Sequence, residues 1–253
     1  MNQVVCIVAV APLRKEASHR SELVSELLFG EYALVLEHTK DFIKVKCIYD
    51  GYEGWCQRSQ LAVVDAMLQT SRYVGEAFKQ INFNGQHCYI GFASPVYSFT
   101  ESVLLGGFRV DYSNSDVIDT SNNDFNAASI KSMASVFLNT PYLWGGKSIF
   151  GIDCSGFTQQ VYKLFQIPLQ RDASQQVESG EVVGFLQEAI CGDLAFFDNE
   201  EGRITHVGIL LNSQEIIHAS GRVRIDRIDH AGIISTDTGE RTHQLRIIKR
   251  YKK

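Results

Sequence analysis

The 253-residue chain reads as an α+β protein: short strands first, then helices, then a strand-rich tail. Three observations predict this. Residues 1–66 hold several short apolar or alternating runs separated by glycine and polar turns. Residues 125–165 change to helical apolar spacing, with Ile130, Met133, Ala134 and Phe137 in one segment and Phe157, Val161, Leu164 and Phe165 in the next. From Asp193 onward strand-like runs return, and helices followed by an antiparallel sheet make an α+β domain.

Taken in order, residues 4–11 read as one strand and residues 32–37 as another. Residues 42–48 form a third, in which Phe42, Lys44 and Lys46 alternate with Ile43, Val45 and Cys47. Gly51 and Gly54 punctuate a turn that feeds the aromatic strand of Trp55. So many strands in so short a stretch predict a small barrel over 1–66. In 67–121 a helix is expected over 67–79, with strands near 88–92 and 107–112. The polar run 113–124 reads as a boundary loop. The last domain, 122–253, is expected to carry helices over 125–138 and from Cys154. Its strands are expected at 193–197, 205–211, 215–218, 223–225 and 245–251.

Composition narrows the function. The chain is 45% hydrophobic and 21% charged, as a soluble globular protein with ample core. A net charge of −5 and a pI near 5.8 argue against a nucleic-acid partner, which needs a basic face. No apolar run approaches the roughly 20 residues of a membrane-spanning helix, so no membrane partner is expected. The N-terminal stretch through Pro12 is apolar but lacks a basic n-region and a clear cleavage site. It reads as a first strand rather than a signal peptide, which predicts a cytoplasmic protein. Cys6, Cys47, Cys56, Cys88, Cys154 and Cys191 contain no CxxC pair, and most read as buried small hydrophobes in a reducing compartment.

Cys154 differs. It follows Tyr142-Leu143-Trp144-Gly145-Gly146 and Gly151-Ile152-Asp153, and it opens an amphipathic helix. The helix dipole there favours a thiolate and is expected to lower the thiol pKa from about 8.5. A buried core cysteine is the plainer alternative. Thr205-His206-Val207-Gly208-Ile209 and Ile216-Ile217-His218-Ala219 are two strand-like runs joined by an Asn212-Ser213 turn signal. In such a hairpin the histidines fall opposite or diagonal to one another. If they share a face, His206 can deprotonate Cys154 while His218 orients the imidazole. Each histidine alone could equally be a satisfied structural residue. Zinc held by the three is a further alternative. The long gap from Cys154 to His206 and the lack of a close ligand pair weigh against it, so neither metal nor cofactor is expected.

The run 142–157, Arg171-Asp172-Ala173-Ser174-Gln175-Gln176, Gly192-Asp193-Leu194, Thr205–Ile209 and Ile217-His218-Ala219 together resemble the NlpC/P60 family of papain-like cysteine peptidases. Pro12-Leu13-Arg14, residues 18–25, Phe29-Gly30-Glu31 and Gly51-Tyr52-Glu53-Gly54-Trp55 resemble the first bacterial SH3 domain of the γ-D-glutamyl-L-diamino acid endopeptidases, also called dipeptidyl-peptidase VI. The resemblance implies a papain-like catalytic domain over 122–253, preceded by two small SH3-like β-barrel domains. The first, 1–66, would cap the substrate's N-terminus. The second, 67–121, would be structural.

It also implies the reaction and its residues. Cys154 would attack the γ-D-glutamyl carbonyl of a murein tri- or tetrapeptide with a free N-terminal L-Ala, releasing L-Ala-γ-D-Glu during cell-wall peptide recycling. His206 would be the base and His218 its orienter. The Cys154 N–H and Tyr142 would stabilise the oxyanion. Asp153 and Ser155 would meet the L-Ala ammonium, with Tyr52 capping the pocket. Asp172 and the Ala173 backbone would meet the D-Glu. By the resemblance Val24 stands where the family has an acid, and Glu22, two residues earlier, would be its substitute. A monomer is expected. The plainer roles stay open: Asp153 as a helix cap, Tyr52 and Trp55 as packing aromatics, Glu22 as a solvated acid, Arg171 as a loop brace. The competing functions are an exported hydrolase of intact wall and an inactive peptide-binding module.

Overall fold

The computed structural model describes residues 2–98, 100–112 and 116–251. The chain divides into two compact units, Met1–Asn122 with Trp144–Phe150, and Asn123–Leu143 with Gly151–Lys253.

In the first unit, β1 (Gln3–Cys6), β2 (Val10–Arg14), β3 (Leu23–Leu28), β4 (Tyr32–His38), β5 (Phe42–Cys47), β6 (Glu53–Gln57) and β7 (Leu61–Val64) form one antiparallel sheet. Its order is β3-β2-β6-β5-β4-β1-β7. Alternation explains β5: Ile43, Val45 and Cys47 enter the core with Val4, Leu13 and Ala33. Phe42 is buried from the other side by edge-on contact with His19, ring centroids 5.0 Å apart. The single strand expected over 4–11 is two. β1 pairs with β4 and β7, whereas β2 pairs with β3 and β6. The corner between them has no turn residue to announce it. Its backbone groups are satisfied from afar, Ile7 N–H by the Gln60 carbonyl and the Ala9 carbonyl by Phe29 N–H.

The remaining strands of this unit are β8 (Arg72–Val74), β9 (Phe78–Phe83), β10 (Gln86–Gly91), β11 (Val103–Leu105), β12 (Phe108–Asp111) and β13 (Val117–Asp119). β9–β12 make a four-stranded sheet in the order β10-β9-β12-β11, and β8 pairs with β13. The helix expected over 67–79 is therefore absent. Tyr73, Val74 and Phe78 favour the pleated surface, and Gly75 interrupts any helical run. β13 lies inside the expected boundary loop, of which residues 113–115 fall outside the described residues. Val5, Phe29 and Tyr32 share one core with Val74, Ile81, Ile90, Val110 and Tyr112, which is why the two stretches form a single unit.

Trp144–Phe150, with the two-residue strand β14 (Lys147–Ser148), belongs to this first unit although it is enclosed in sequence by the second. The Lys147 side chain is fully buried, with Nζ 3.7 Å from Glu31 and 4.0 Å from Asp50. Its backbone N–H donates to Glu26 at 2.7 Å. Gly145 has φ +79, and a Cβ there would sit 2.4 Å from the Leu23 carbonyl oxygen. Only glycine permits that approach.

In the second unit, α1 (Ala127–Ser135) is capped by Asn126, which accepts from the Ala128 and Ser129 N–H groups at 3.0 Å. β15 (Gly151–Ile152), α2 (Cys154–Lys163) and α3 (Ala173–Gln176) follow. Then come β16 (Glu181–Val183), β17 (Leu194–Asp198), β18 (Ile204–Leu210), β19 (Glu215–Ser220), β20 (Arg222–Asp229), β21 (Gly232–Ile234) and β22 (Arg241–Arg250). β17 to β22 are consecutive antiparallel neighbours, and the β17–β22 pairing closes them into a six-stranded barrel with β16 added on β22. One face of these strands packs an apolar cluster of Ala195, Phe197, Leu210, Ile216, Ile228 and Ile248. α2 lies against β18 and β19. Every residue of α2 is buried, so the helix is a core element and its first residue is held rigidly.

Candidate active site

Cys154 is the first residue of α2 and Asp153 is its cap, accepting the Gly156 N–H at 2.7 Å. Asp153 is also engaged by Arg171, whose Nη2 lies 2.6 Å from Oδ2 and whose Nη1 lies 3.0 Å from Oδ1. Arg171 reaches Ser155 Oγ at 3.1 Å and is 1% exposed. Asp153, beside Cys154, therefore carries a built-in counter-ion as well as its capping bond.

The thiol corrects one expectation. Burial pushes the Cys154 pKa up to about 12, and the Asp153 charge adds to this. The N–H groups of Val207 and Ser155 and the Arg171 charge pull the other way without prevailing. At neutral pH the resting site holds a protonated thiol, which could act as a nucleophile only with a base to take its proton.

The candidate base, His206, is placed by β-sheet register. His218 on β19 lies directly opposite Gly208 on β18, and His206 is two residues before Gly208. The histidines are diagonal neighbours on one face. A Cβ at Gly208 would come 2.8 Å from that of His218 and 2.7 Å from Ile216 Cδ1, so glycine makes room for both neighbouring side chains. His206 Nε2 is 2.8 Å from His218 Nδ1. With Nε2 so engaged, Nδ1 is the ring nitrogen outside that bond. The Val207 N–H that faces the Cys154 sulfur puts the thiol beside the backbone that carries His206.

Two groups escape the sequence reading. His218 Nε2 lies 3.0 Å from Asp226 Oδ2 on β20. Both side chains are buried. Burial would raise the Asp226 carboxyl, but hydrogen bonds from His218, Arg224 and Thr236 hold it well below the usual carboxylate range. Ile216 pairs with Asp226 and His218 with Arg224, so the acid is diagonal to His218 across a hairpin whose turn, Gly221, is visible in the sequence. The second group is His243 on β22, stacked on His206 at 4.1 Å between ring centroids and 26° between planes.

Tyr142 is half-buried, and its hydroxyl is pushed up by burial and by the neighbouring Cys154 and Asp153 charges, which brings it into the electrostatic surroundings of the thiol. Asp172 precedes α3, its N–H donating to Gln175 Oε1 at 3.3 Å, and Ala173 is buried. Tyr52 and Glu22 lie in the first unit. Tyr52 packs against that unit's core. Glu22 is exposed and accepts the Trp144 indole N–H at 2.9 Å. Among the described residues, no group of three or more His, Cys, Asp or Glu side chains is arranged to hold a metal ion. None of the described helices is long and apolar enough to cross a membrane.

The neutral histidines make stability pH-dependent. Burial, then His218 and His243, depress His206 well below the ordinary value; burial, then His218, brings His243 to about 4. In the unfolded chain both take a proton near pH 6.5, so the unfolded state binds more protons between pH 6.5 and the lower folded values. Tm should fall as pH drops from about 7 toward 5. Thermal unfolding across that range checks it: His243→Phe, which keeps an aromatic against His206, should flatten the slope, and identical slopes would disprove the assignment.

The NlpC/P60 family profile matches residues 139–242, and a bacterial dipeptidyl-peptidase SH3 domain profile matches residues 13–61. A γ-D-glutamyl-L-lysine dipeptidyl-peptidase of Bacillus subtilis strain 168 is 30% identical over 214 residues, covering 77% of this chain and 71% of that protein. The chain belongs to the NlpC/P60 peptidase family. A dipeptidyl-peptidase 6 of Lysinibacillus sphaericus is 28% identical over 265 aligned positions, covering 90% of this chain and 92% of the relative. The crystal structure of an NlpC/P60 family protein from Bacillus cereus superposes with a TM-score of 0.79 at 20% identity, spanning 98% of this chain and 99% of the other. That match supports the fold over the whole length: an SH3-bearing N-terminal part followed by an NlpC/P60 domain.

Proposed function

We propose that this NlpC/P60 protein is a cysteine peptidase that hydrolyses the γ-D-glutamyl–diamino acid bond of murein peptides bearing a free N-terminal L-Ala. The observation that carries the reading is the buried Cys154 at the start of α2 beside the strand of the hydrogen-bonded His206–His218 pair. Relatives named γ-D-glutamyl-L-lysine dipeptidyl-peptidase, matched along most of the chain, support the substrate class. The thiol gives its proton to His206 Nδ1 as sulfur bonds to the γ-carbonyl carbon. The C–N bond then breaks, His206 returns the proton to the departing amine, and water hydrolyses the thioester to free L-Ala-γ-D-Glu. The Cys154 N–H and Tyr142 are assigned to the oxyanion. Asp153 and Ser155 are assigned to the L-Ala ammonium, with Arg171 sharing the carboxylate. Tyr52, Glu22, Asp172 and the Ala173 backbone are assigned to the remaining peptide contacts. Recycling of such peptides in the cytoplasm is the proposed setting, supported by six free thiols.

Mass spectrometry of L-Ala-γ-D-Glu-meso-diaminopimelate, its L-Lys counterpart and an N-acetylated copy tests the reading. Release of L-Ala-γ-D-Glu from free-amine peptides alone, abolished in Cys154→Ala, is the expected result. Equal cleavage of the acetylated copy would instead fit a hydrolase of intact wall, and no cleavage at all would fit a binding module.

A further inference from the structure

We propose that Asp226 is a positioning residue that, through His218, decides which nitrogen of His206 is free to accept the thiol proton. The inference rests on the cysteine-peptidase reading and extends it from three residues to four.

The two carboxylate oxygens of Asp226 have separate partners. Oδ1 takes Arg224 Nη2 at 2.8 Å, the Thr236 N–H at 2.8 Å and the Thr236 hydroxyl at 2.7 Å. Oδ2 takes His218 Nε2 at 3.0 Å. Three donors on one oxygen anchor the group, and the other oxygen is left to the imidazole. A carboxylate offers no proton, so His218 Nε2 must carry one. The His218 tautomer with its proton on Nε2 presents a bare Nδ1, which accepts from His206 Nε2–H across 2.8 Å. His206 is thereby the Nε2–H tautomer with a bare Nδ1, the form that can take the Cys154 proton. When it does, the new imidazolium donates along a chain that ends on a carboxylate.

The charged and titratable groups around this chain come from several elements. His206 is on β18, His218 on β19 and Arg224 on β20; Asp237, which pairs with Arg224 at 2.8 Å, follows β21; His243 on β22 has its ring 5.8 Å from that of His218. None of them donates to Asp226 Oδ2 in place of His218.

Asp226→Asn is the discriminating change, because it preserves shape and an acceptor for Arg224 and Thr236 while turning an N–H₂ toward His218 Nε2. His218 must then carry its proton on Nδ1, and His206 is left with its proton on Nδ1, facing the thiol. The expected loss in kcat is about 10²–10³-fold, against about 10⁴ for the corresponding change in a serine triad, where the acid touches the base directly. KM should move by less than about threefold. Ring ¹⁵N shifts of His206 should show a bare Nδ1 in the wild type and a bare Nε2 in the variant. Unchanged kcat, or the same tautomer in both proteins, overturns the proposal. If Asp226→Asn fails to fold, the wild-type spectrum decides alone: a proton on His206 Nδ1 is fatal. Absence of wild-type activity on every murein peptide would sink the peptidase reading, while the spectra would still judge Asp226.

Discussion

Cys154→Ala and His206→Ala are each expected to lower kcat on L-Ala-γ-D-Glu-meso-diaminopimelate by about 10⁵–10⁶-fold, with the double variant falling no further. The expected non-additivity comes from the resting protonation states. Burial keeps the Cys154 thiol protonated and His206 neutral, so neither residue is active alone. In the proposed reaction attack and proton transfer are one event, and removing either participant removes it. His218→Ala should cost less, about 10²–10³-fold, because it misorients the base without deleting it. Single-turnover rates by mass spectrometry check the series. A double variant that falls well below both singles, or a His206→Ala protein within about 100-fold of wild type, would mean that another group is the base.

Arg171→Met is expected to be the most destabilising single substitution near the site. Arg171 is 1% exposed and Asp153 7%, and they share a bidentate ion pair with 2.6 Å and 3.0 Å contacts. Removing the cation strands a buried carboxylate, which costs about 3–5 kcal/mol. At about 2–4 °C per kcal/mol for a protein of this size, Tm should fall by roughly 10 °C. Activity should fall too, since an unbalanced Asp153 charge makes the neighbouring thiol harder to ionise. Arg171→Met/Asp153→Asn should recover most of the Tm, because no charge is then stranded. Thermal unfolding of both proteins decides: a shift under about 2 °C in the single variant, or no recovery in the double, would show that the pair carries little energy.

What was legible in the sequence follows from how local each signal is. The shared face of His206 and His218 depends only on hairpin parity, and Cys154 as first residue of a helix depends on the Asp153 cap and the apolar spacing after it. Asp226 depends on a third strand, yet the Gly221 turn places it diagonal to His218, so it was readable by extending the same parity one hairpin further. The thiol pKa was not readable. A helix start argues for a lowered value, and only the full burial of α2 reverses it. The helix expected over 67–79 failed for a similar reason, because the pairing of β8 with β13 brings together residues more than 40 positions apart. The corner between β1 and β2 carries no turn residue, so its bend exists only because two different pairs of neighbours claim the flanking strands.

The Trp144–Phe150 excursion bears on how this chain is made. Asn122 leaves the ribosome before Lys147 does, so the ion pairs of Lys147 with Glu31 and Asp50 form only after the second unit has begun to emerge. The SH3-bearing unit thus cannot finish folding as an independent module during synthesis. Nor can the two units be exchanged between proteins by joining at a single crossover near residue 122, because Trp144–Phe150, lying beyond that point, must come with the first unit. An N-terminal unit recombined into a new protein would need its seven-residue segment carried along inside the foreign peptidase sequence.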